Sequence, residues 1–516
     1  MLDLLIVITY FVVILIMALR GGKAASEDKE AYFLSNRNLR WPSIALSTIA
    51  TNVQGYQFLG MMGSAYLYGL AQANLEINAI QGLWMAAFIF IPLYLREKII
   101  TITQFIKKKL GTGVALAYSI GNMFLLGTLG LGAALFWGAY AADLVFSEYL
   151  GWLGKEPLER IMWLIGILGV IAALYTWVGG LSAVVKTDII QFLILTAGGI
   201  AILVSSIYYL GGWGVLYEKT PELMHLHLPA DHPKLPWIAI PGMLLLNINY
   251  WCANQSVVQR SLAARSLREA QVGLMVGGLM KYVMALIIIV PGIALAGVLG
   301  ADGLADPDQA FPYLVKAFLP VGLKGLIVCA LFASMMSTVD STFNSLATMW
   351  SIDMYQPFLN PKATDKQLVQ AGRNAILFFL LTGVAMGCLL IWVKLRNPED
   401  AFTHTLNELR YYLNTGFVVV VCAAALLGLV HHKLALGAFL VTIPLHLLFQ
   451  WLTPDMNYFV RAMWVIVIAF IVVAGPSLGR KKGRMKGSVI EFANIGVRNA
   501  SLWLLASLVL AHIVFH

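Results

Sequence analysis

The sequence predicts an all-α polytopic membrane protein with about fourteen transmembrane helices. Hydrophobic residues fill 59% of the 516 positions and charged residues only 12%, against roughly a quarter charged in soluble globular chains. Mean hydropathy is +0.79. The apolar residues also lie in long runs without strict alternation, which excludes a transmembrane β-barrel.

A crossing helix needs about 20 mostly apolar residues. Candidate spans fall at 2–19, 42–64, 70–94, 114–146, 161–179, 188–211, 236–256, 271–299, 319–350, 373–393, 402–430, 434–452, 457–475 and 498–514. The first has no basic region before it and no small-residue cleavage site after it, so it reads as a retained span. No connecting loop exceeds about 20 residues, too few to bury a core. Function is therefore expected within the bilayer.

The net charge of +9 does not point to nucleic acid, because membrane proteins concentrate Lys and Arg in cytoplasmic loops. Of the 35 basic residues, 24 follow odd-numbered spans, Arg260, Arg265 and Arg268 among them. Nine follow even-numbered spans, and Lys281 and Arg410 fall inside spans. The odd loops are then cytoplasmic and both termini lie outside. Cys252, Cys329, Cys388 and Cys422 lie in apolar stretches with no metal-site or disulfide spacing. His404, His431 and His432 sit near span ends and read as interfacial.

A charge at mid-membrane costs roughly 2.5–3.5 kcal/mol on insertion scales, so intramembrane charges point to function. They are Glu76, Asp188, Lys281, Asp340, Glu408 and Arg410; Asp188, Glu408 and Arg410 lie close enough to span ends to reach headgroups instead. In the ninth span Ser334, Ser337, Thr338 and Ser341 recur at i, i+3, i+4 and i+7, one helical face, with Asp340 and Asn344 alongside. Such hydroxyls can merely back-bond within their helix. Four aligned beside a carboxylate suit a hard cation such as sodium. The second span carries Asn52, Gln54, Gly55 and Gln57 at its middle, and the seventh carries Pro241 and Gly242, then Asn247, Asn249, Tyr250 and Trp251. Unwound backbone at that depth is tolerated where it lines a cavity or a site. Two interrupted spans five apart suggest two structural repeats, spans 2–6 and 7–11, as in secondary transporters.

Three segments carry a family resemblance: WVGGLSAVVKTDIIQ (177–191), YWCANQSVVQRSLAARSLREAQVG (250–273), and the ninth span with its DMY ending (353–355). They resemble the sodium/solute symporter family and, within it, the sodium/glucose- or galactose-type cotransporters. The resemblance implies a leucine-transporter-type inverted five-plus-five repeat core. Residues 1–41 would then be an extra N-terminal span and loop, 42–211 the first core repeat, 236–430 the second, and 434–516 peripheral spans. It further implies a sodium site from Ala50, Val53 and Ser334 through carbonyls and Ser337 and Thr338 through hydroxyls. Sugar contacts would come from Gln57, Glu76, Asn247 and Lys281, with Tyr250 stacked beneath the sugar and Asn52 as its gate partner. Glu accepts, Lys donates and amides do both, which suits a hydroxyl-rich ligand.

Two departures from the family pattern matter. Ala79 and Leu75 replace the serine and aromatic expected beside Glu76, and HTLNELRYYLNTG (404–416) does not align without a shift. Asn407, Glu408, Arg410 or Tyr411 could face the ligand there. Arg410 could bind a carboxylate bidentately, favouring an acidic sugar, or could pair with Glu408 as an outer gate. Asp340 replaces a hydroxyl in a second sodium site that would comprise Asp188, Ser337, Asp340 and Ser341. A shared proton, or an Asp340 hydrogen bond to a neighbouring helix, are the alternatives.

The expected function is sodium-coupled import of a glucose- or galactose-like hexose by alternating access. The alternatives are a symporter of the same fold for a uronate, polyol or other organic solute, and a sodium-gated sugar sensor. No catalytic motif suggests an enzyme, and sodium as coupling ion is the only cofactor expected. The partners are the sugar, sodium and the lipid bilayer, in a bacterial inner membrane, with the oligomeric state left open.

Overall fold

The computed structural model describes residues 2–21, 28–300, 302–320, 322–396, 402–428, 430–478 and 489–516. The basic run 480–486 and Lys23 lie outside them, as do parts of the 1–41 and 434–516 segments. The described chain is helical throughout and contains no named strand, only two isolated bridges, Leu39 to Ala264 and Leu228 to Pro236.

The helices that build the site are α1 (Trp41–Asn52), α2 (Gln57–Arg96), α3 (Pro157–Leu210), α4 (Trp237–Ala253), α5 (Gln255–Leu262), α6 (Leu267–Leu299), α7 (Leu323–Leu359), α8 (Thr405–Leu426) and α9 (Ile495–Val514). Four further helices, Thr112–Tyr149, Asp365–Arg396, His432–Leu452 and Tyr458–Leu478, pack around them.

The expected count of about fourteen spans is corrected. Ten helices among the described residues are long and apolar enough to cross a membrane. Two pairs of expected spans run together. The end of 42–64, from Gln57 on, and all of 70–94 fall in α2, which bends at Gly69 (φ 61°, ψ −143°), and 161–179 and 188–211 join in the 54-residue α3. The join in α3 is at Gly180, whose non-helical φ of 54° and ψ of −155° kink the chain so that two helices meet with no connecting loop. A Cβ there would lie 2.5 Å from the Tyr32 carbonyl oxygen, so glycine is required on both counts. Two other stretches fall short of a span, the described apolar helix Leu5–Ile14 and the 17-residue α4.

Both expected interruptions are present, the first within the Asn52–Gln57 stretch that composition marked and the second displaced past Trp251. Val53 turns extended at φ −77°, ψ 107°, and the chain is helical again from Gly55. The second break is at Asn254 (φ −83°, ψ 115°), whose side chain accepts from the Ser256 N–H at 3.0 Å and so caps α5. Pro241 does not break α4. It sits in the first turn, where the missing N–H has no intrahelical partner to lose.

Helix α7 runs through the centre, buried along nearly its whole length and packed against α3. The outer helices turn large apolar side chains outward, including Leu377, Phe378, Leu381, Trp451 and Trp503. Exposed apolar belts of this kind are the signature of a lipid-facing surface.

Candidate functional site

A cavity of about 180 Å³ opens where the break after α1 meets α2, α4, α6 and α8. That is small beside the roughly 300–1,000 Å³ of sites for drug-sized ligands. Its charged lining residues are Glu76, Lys281 and Arg410. Lys281 is an ion-pair partner of Glu76 and donates to Asn52 Oδ1 at 2.5 Å, with its ammonium 5.6 Å from the centre of the Trp251 ring. Gln57 Nε2 donates to the other Glu76 oxygen at 2.6 Å. Both members of the pair are 1–2% exposed, so each charge depends on the other for compensation. The same wall is packed tightly from behind, since a Cβ on Gly82 would lie 2.5 Å from Trp251 Cδ1.

Asn247 donates to the Asn78 carbonyl at 2.9 Å and faces the cavity with Asn52, Tyr250, Asn249 and Tyr56. From α8 come Asn407, Arg410, Tyr411 and Asn414, spaced i, i+3, i+4 and i+7. That single face resolves the stretch that could not be aligned. Arg410 Nη2 donates to the Leu129 carbonyl at 3.3 Å, and Arg410 has no acidic partner among the described residues. The outer-gate alternative fails on the same helix, because Glu408 is paired with Arg461 instead. The side-chain oxygens of Asn249 and Asn414 are buried without protein partners, so both can accept from a ligand.

The hydroxyl stripe of α7 divides between two clusters. Ser334 Oγ donates to the Val53 carbonyl at 2.7 Å, and Thr338 Oγ1 lies 3.1 Å from the Thr51 carbonyl and 3.2 Å from that of Ser334. The carbonyls at the end of α1 have no following turn to satisfy them and carry the negative end of the helix dipole. Together with two hydroxyls they form an all-oxygen cradle of the kind hard cations prefer. Ala50 is buried on the same turn. Ser334 contributes its hydroxyl here, where only its carbonyl was expected.

Ser337 points the other way and donates to Asp188 Oδ1. The second Asp188 oxygen receives Ser47 Oγ at 2.5 Å and Arg260 Nη2 at 3.2 Å. Arg260 also donates through Nε to Ser47 at 3.0 Å, to the Ser256 carbonyl and to Ser341. Asp340 Oδ1 accepts from Ser341 at 3.3 Å, and its Oδ2 accepts from the Tyr175 hydroxyl at 2.7 Å. The hydrogen bond from Asp340 to a neighbouring helix is thus present. Asp188, Asp340 and Arg260 are all fully buried.

Arg260 is the site residue that sequence reasoning missed. It was counted as a cytoplasmic loop cation, and the structure corrects this to a buried ion-pair partner of Asp188. The available signal was the apolar spacing of Val257, Val258 and Leu262, which continues a helix past the break. Gln57, in turn, is fully buried behind Glu76 and is absent from the cavity lining.

A polytopic helical protein with two broken helices meeting at a buried polar cavity is built as a secondary transporter. The chain matches the family model described as "Sodium:solute symporter family" over residues 32–443, and it belongs to that family. It is similar to the "Sodium/glucose cotransporter" of Vibrio parahaemolyticus, 31% identical over 510 residues, covering 92% of this chain and 90% of that one. It is 29% identical to the "Sodium/myo-inositol cotransporter 2" of Oryctolagus cuniculus over 418 residues, 74% of this chain but 60% of that longer relative. The fold is shared with a solved Na+-coupled sialic acid symporter in its substrate-bound outward-open state, with a TM-score of 0.80, 18% identity and coverage of 94% and 99% of the two chains. The protein is therefore a sodium-coupled symporter that moves a small solute by alternating access, and not an enzyme.

Proposed function

We propose that the solute is an acidic, hydroxylated molecule of monosaccharide size, a uronate-type sugar, imported with sodium. The observation that carries this is Arg410. Glu76 and Lys281 neutralise each other, so the guanidinium leaves the cavity lining with one surplus positive charge. A carboxylate is the ligand group that a planar guanidinium binds best. The amides of Asn52, Asn247, Asn249, Asn407 and Asn414 supply donors and acceptors for hydroxyls. Tyr250 offers a ring for the apolar face of a pyranose. The names of the glucose and myo-inositol relatives support a polyhydroxyl ligand.

The coupling ion is assigned to the cradle of Ala50, Val53, Ser334 and Thr338, with Ser337 one turn away on the stripe. The cluster of Asp188, Ser337, Asp340 and Ser341 is assigned a second sodium. Two carboxylates against one guanidinium leave it one positive charge short, and a net charge buried without compensation is strongly unfavourable. One charge moved across 100 mV is worth about 2.3 kcal/mol, roughly fifty-fold in accumulation. The protein is placed in a bacterial inner membrane with its cation-rich loops cytoplasmic and both termini outside, on the strength of the loop charges.

The test is uptake of labelled uronates and neutral hexoses into proteoliposomes with and without an inward sodium gradient. Sodium-driven accumulation of a uronate is expected, and Arg410→Gln should raise its KM by about thirty-fold or more, the low end of the cost of unpairing a buried charge. Accumulation of a neutral hexose that uronates do not inhibit would overturn the acidic reading in favour of a glucose-like one. In the same assay Thr338→Ala is expected to weaken sodium activation about fivefold to tenfold, the worth of one hydrogen-bonding group. Unchanged sodium dependence in Thr338→Ala and Ser337→Ala alike would remove the stripe from the ion site.

A further inference from the structure

Four histidines gather above the cavity at the meeting of α9 with the loop before α4. His512 Nε2 lies 2.9 Å from Asn78 Oδ1, and His512 Nδ1 lies 3.0 Å from His227 Nε2. His225 Nδ1 contacts the His516 carbonyl at 2.8 Å, and the His516 ring stands edge-on to His227 at 4.9 Å. The remaining nitrogen, His227 Nδ1, is buried without a partner.

One set of proton positions in the neutral His227–His512 pair satisfies these contacts. Asn78 Nδ2 already donates to Asn74 Oδ1 at 3.0 Å, so Asn78 Oδ1 is an acceptor and His512 Nε2 must carry a proton. A neutral His512 then has Nδ1 as its acceptor, and His227 must donate through Nε2. That leaves His227 Nδ1 as the bare lone pair, which matches its lack of a partner. The chain of donors runs one way, from His227 to His512 to Asn78.

Asn78 is the inner end of this chain and touches the cavity wall twice. Its carbonyl receives Asn247, and its side chain holds Asn74, which also lines the cavity and donates to the Leu226 carbonyl at 2.6 Å. We propose that His512, on the peripheral helix α9, is a positioning residue for the solute site that acts through Asn78 on Asn247, and that His227 holds it there until both imidazoles are protonated. The inference rests on Asn247 contacting solute, as argued above.

One proton on the pair can be shared, with His512 Nδ1–H donating to His227 Nε2 and the His227 proton moved to its free Nδ1; a second proton sets N–H against N–H, and the contact becomes repulsive. Burial, and then His516, holds His227 below the usual imidazole range, so the neutral form persists near neutrality. The relay is intact through the usual imidazole range and is lost as pH falls below it. The other titratable or charged neighbours are His225 and His516, Asp231 and His232 in the same loop, and the Glu76–Lys281 pair on the cavity side of the helix that carries Asn78.

The experiment compares wild type, His512→Ala and His512→Gln, whose amide can still donate to Asn78 but does not titrate. In sodium-driven uptake, acidification from about pH 7.5 to about pH 4.5, well below the ordinary imidazole pKa of roughly 6.5, should raise the wild-type KM with kcat little changed. His512→Ala should show a KM raised about fivefold at both pH values, the worth of one hydrogen bond. His512→Gln should keep the low KM and lose the pH response. A second measurement needs no solute: amide hydrogen exchange of residues 71–78 and 224–228, corrected for intrinsic rates. Faster exchange is expected in acidified wild type and in His512→Ala at both pH values, and not in His512→Gln. Wild-type exchange in His512→Ala, or a pH response kept by His512→Gln, would overturn the inference. Should no tested solute enter wild-type vesicles, the solute assignment fails and the exchange data still decide the relay.

Discussion

Arg260→Met is expected to destabilise the folded protein by roughly 3–5 kcal/mol, the cost of removing one partner from a buried ion pair. The guanidinium binds Asp188, Ser47, Ser341 and the Ser256 carbonyl from a position with no exposed surface. Without it, Asp188 and Asp340 would share a buried pocket as two like charges. Unfolding in detergent measures the loss. Adding Asp188→Asn to Arg260→Met should recover most of it, because the stranded carboxylate is then gone. Sodium should also stabilise Arg260→Met more than wild type, since any ion in the cluster would replace the missing charge. A single variant that unfolds like wild type would show that water or protonation already compensates the two carboxylates. Arg260→Lys is not expected to rescue fully, because one ammonium cannot reproduce the fork that spans α1, α3, α5 and α7.

Lys281→Met should cost about as much, roughly 3–5 kcal/mol, by the same physics at the solute cavity. The change strands Glu76, which is 2% exposed and would keep the Gln57 amide as its donor at 2.6 Å. It also removes the donor to Asn52. The companion variant Glu76→Gln with Lys281→Met should regain stability and remain unable to take up solute. That split separates folding from binding. If the double variant transports normally, the pair is structural only, and solute recognition belongs to the amides and Arg410.

Much of the site could be read from spacing. The stripe Ser334, Ser337, Thr338 and Ser341 is visible because the helical period aligns four hydroxyls in an apolar span. What spacing does not show is that neighbouring helices divide the stripe: Ser334 and Thr338 go to the α1 carbonyls, while Ser337 and Ser341 go to the Asp188–Arg260 cluster. Arg410 was visible as a charge in an apolar run, but its role depended on whether Glu408 turned toward it or toward Arg461. Tyr175 and Ser47 gave no signal, because a tyrosine and a serine in apolar helices are unremarkable until a carboxylate lies opposite. The span count went astray at positions such as Gly180, where two helices abut at a single kinked residue and hydropathy reads a gap between separate spans.

Composition and hydropathy by themselves determined the membrane-embedded, all-helical class, the two broken helices and the polar residues worth explaining. Those features are local, because each residue's transfer cost and each helical face depend only on near neighbours in the chain. Tertiary structure alone decided which helices join and which charges pair, and it alone placed a distant C-terminal histidine against Asn78. Charge compensation in a buried site is a property of distance in space, and residues such as Arg260 and Asp188, or His512 and Asn78, are brought within hydrogen-bonding range only by the fold.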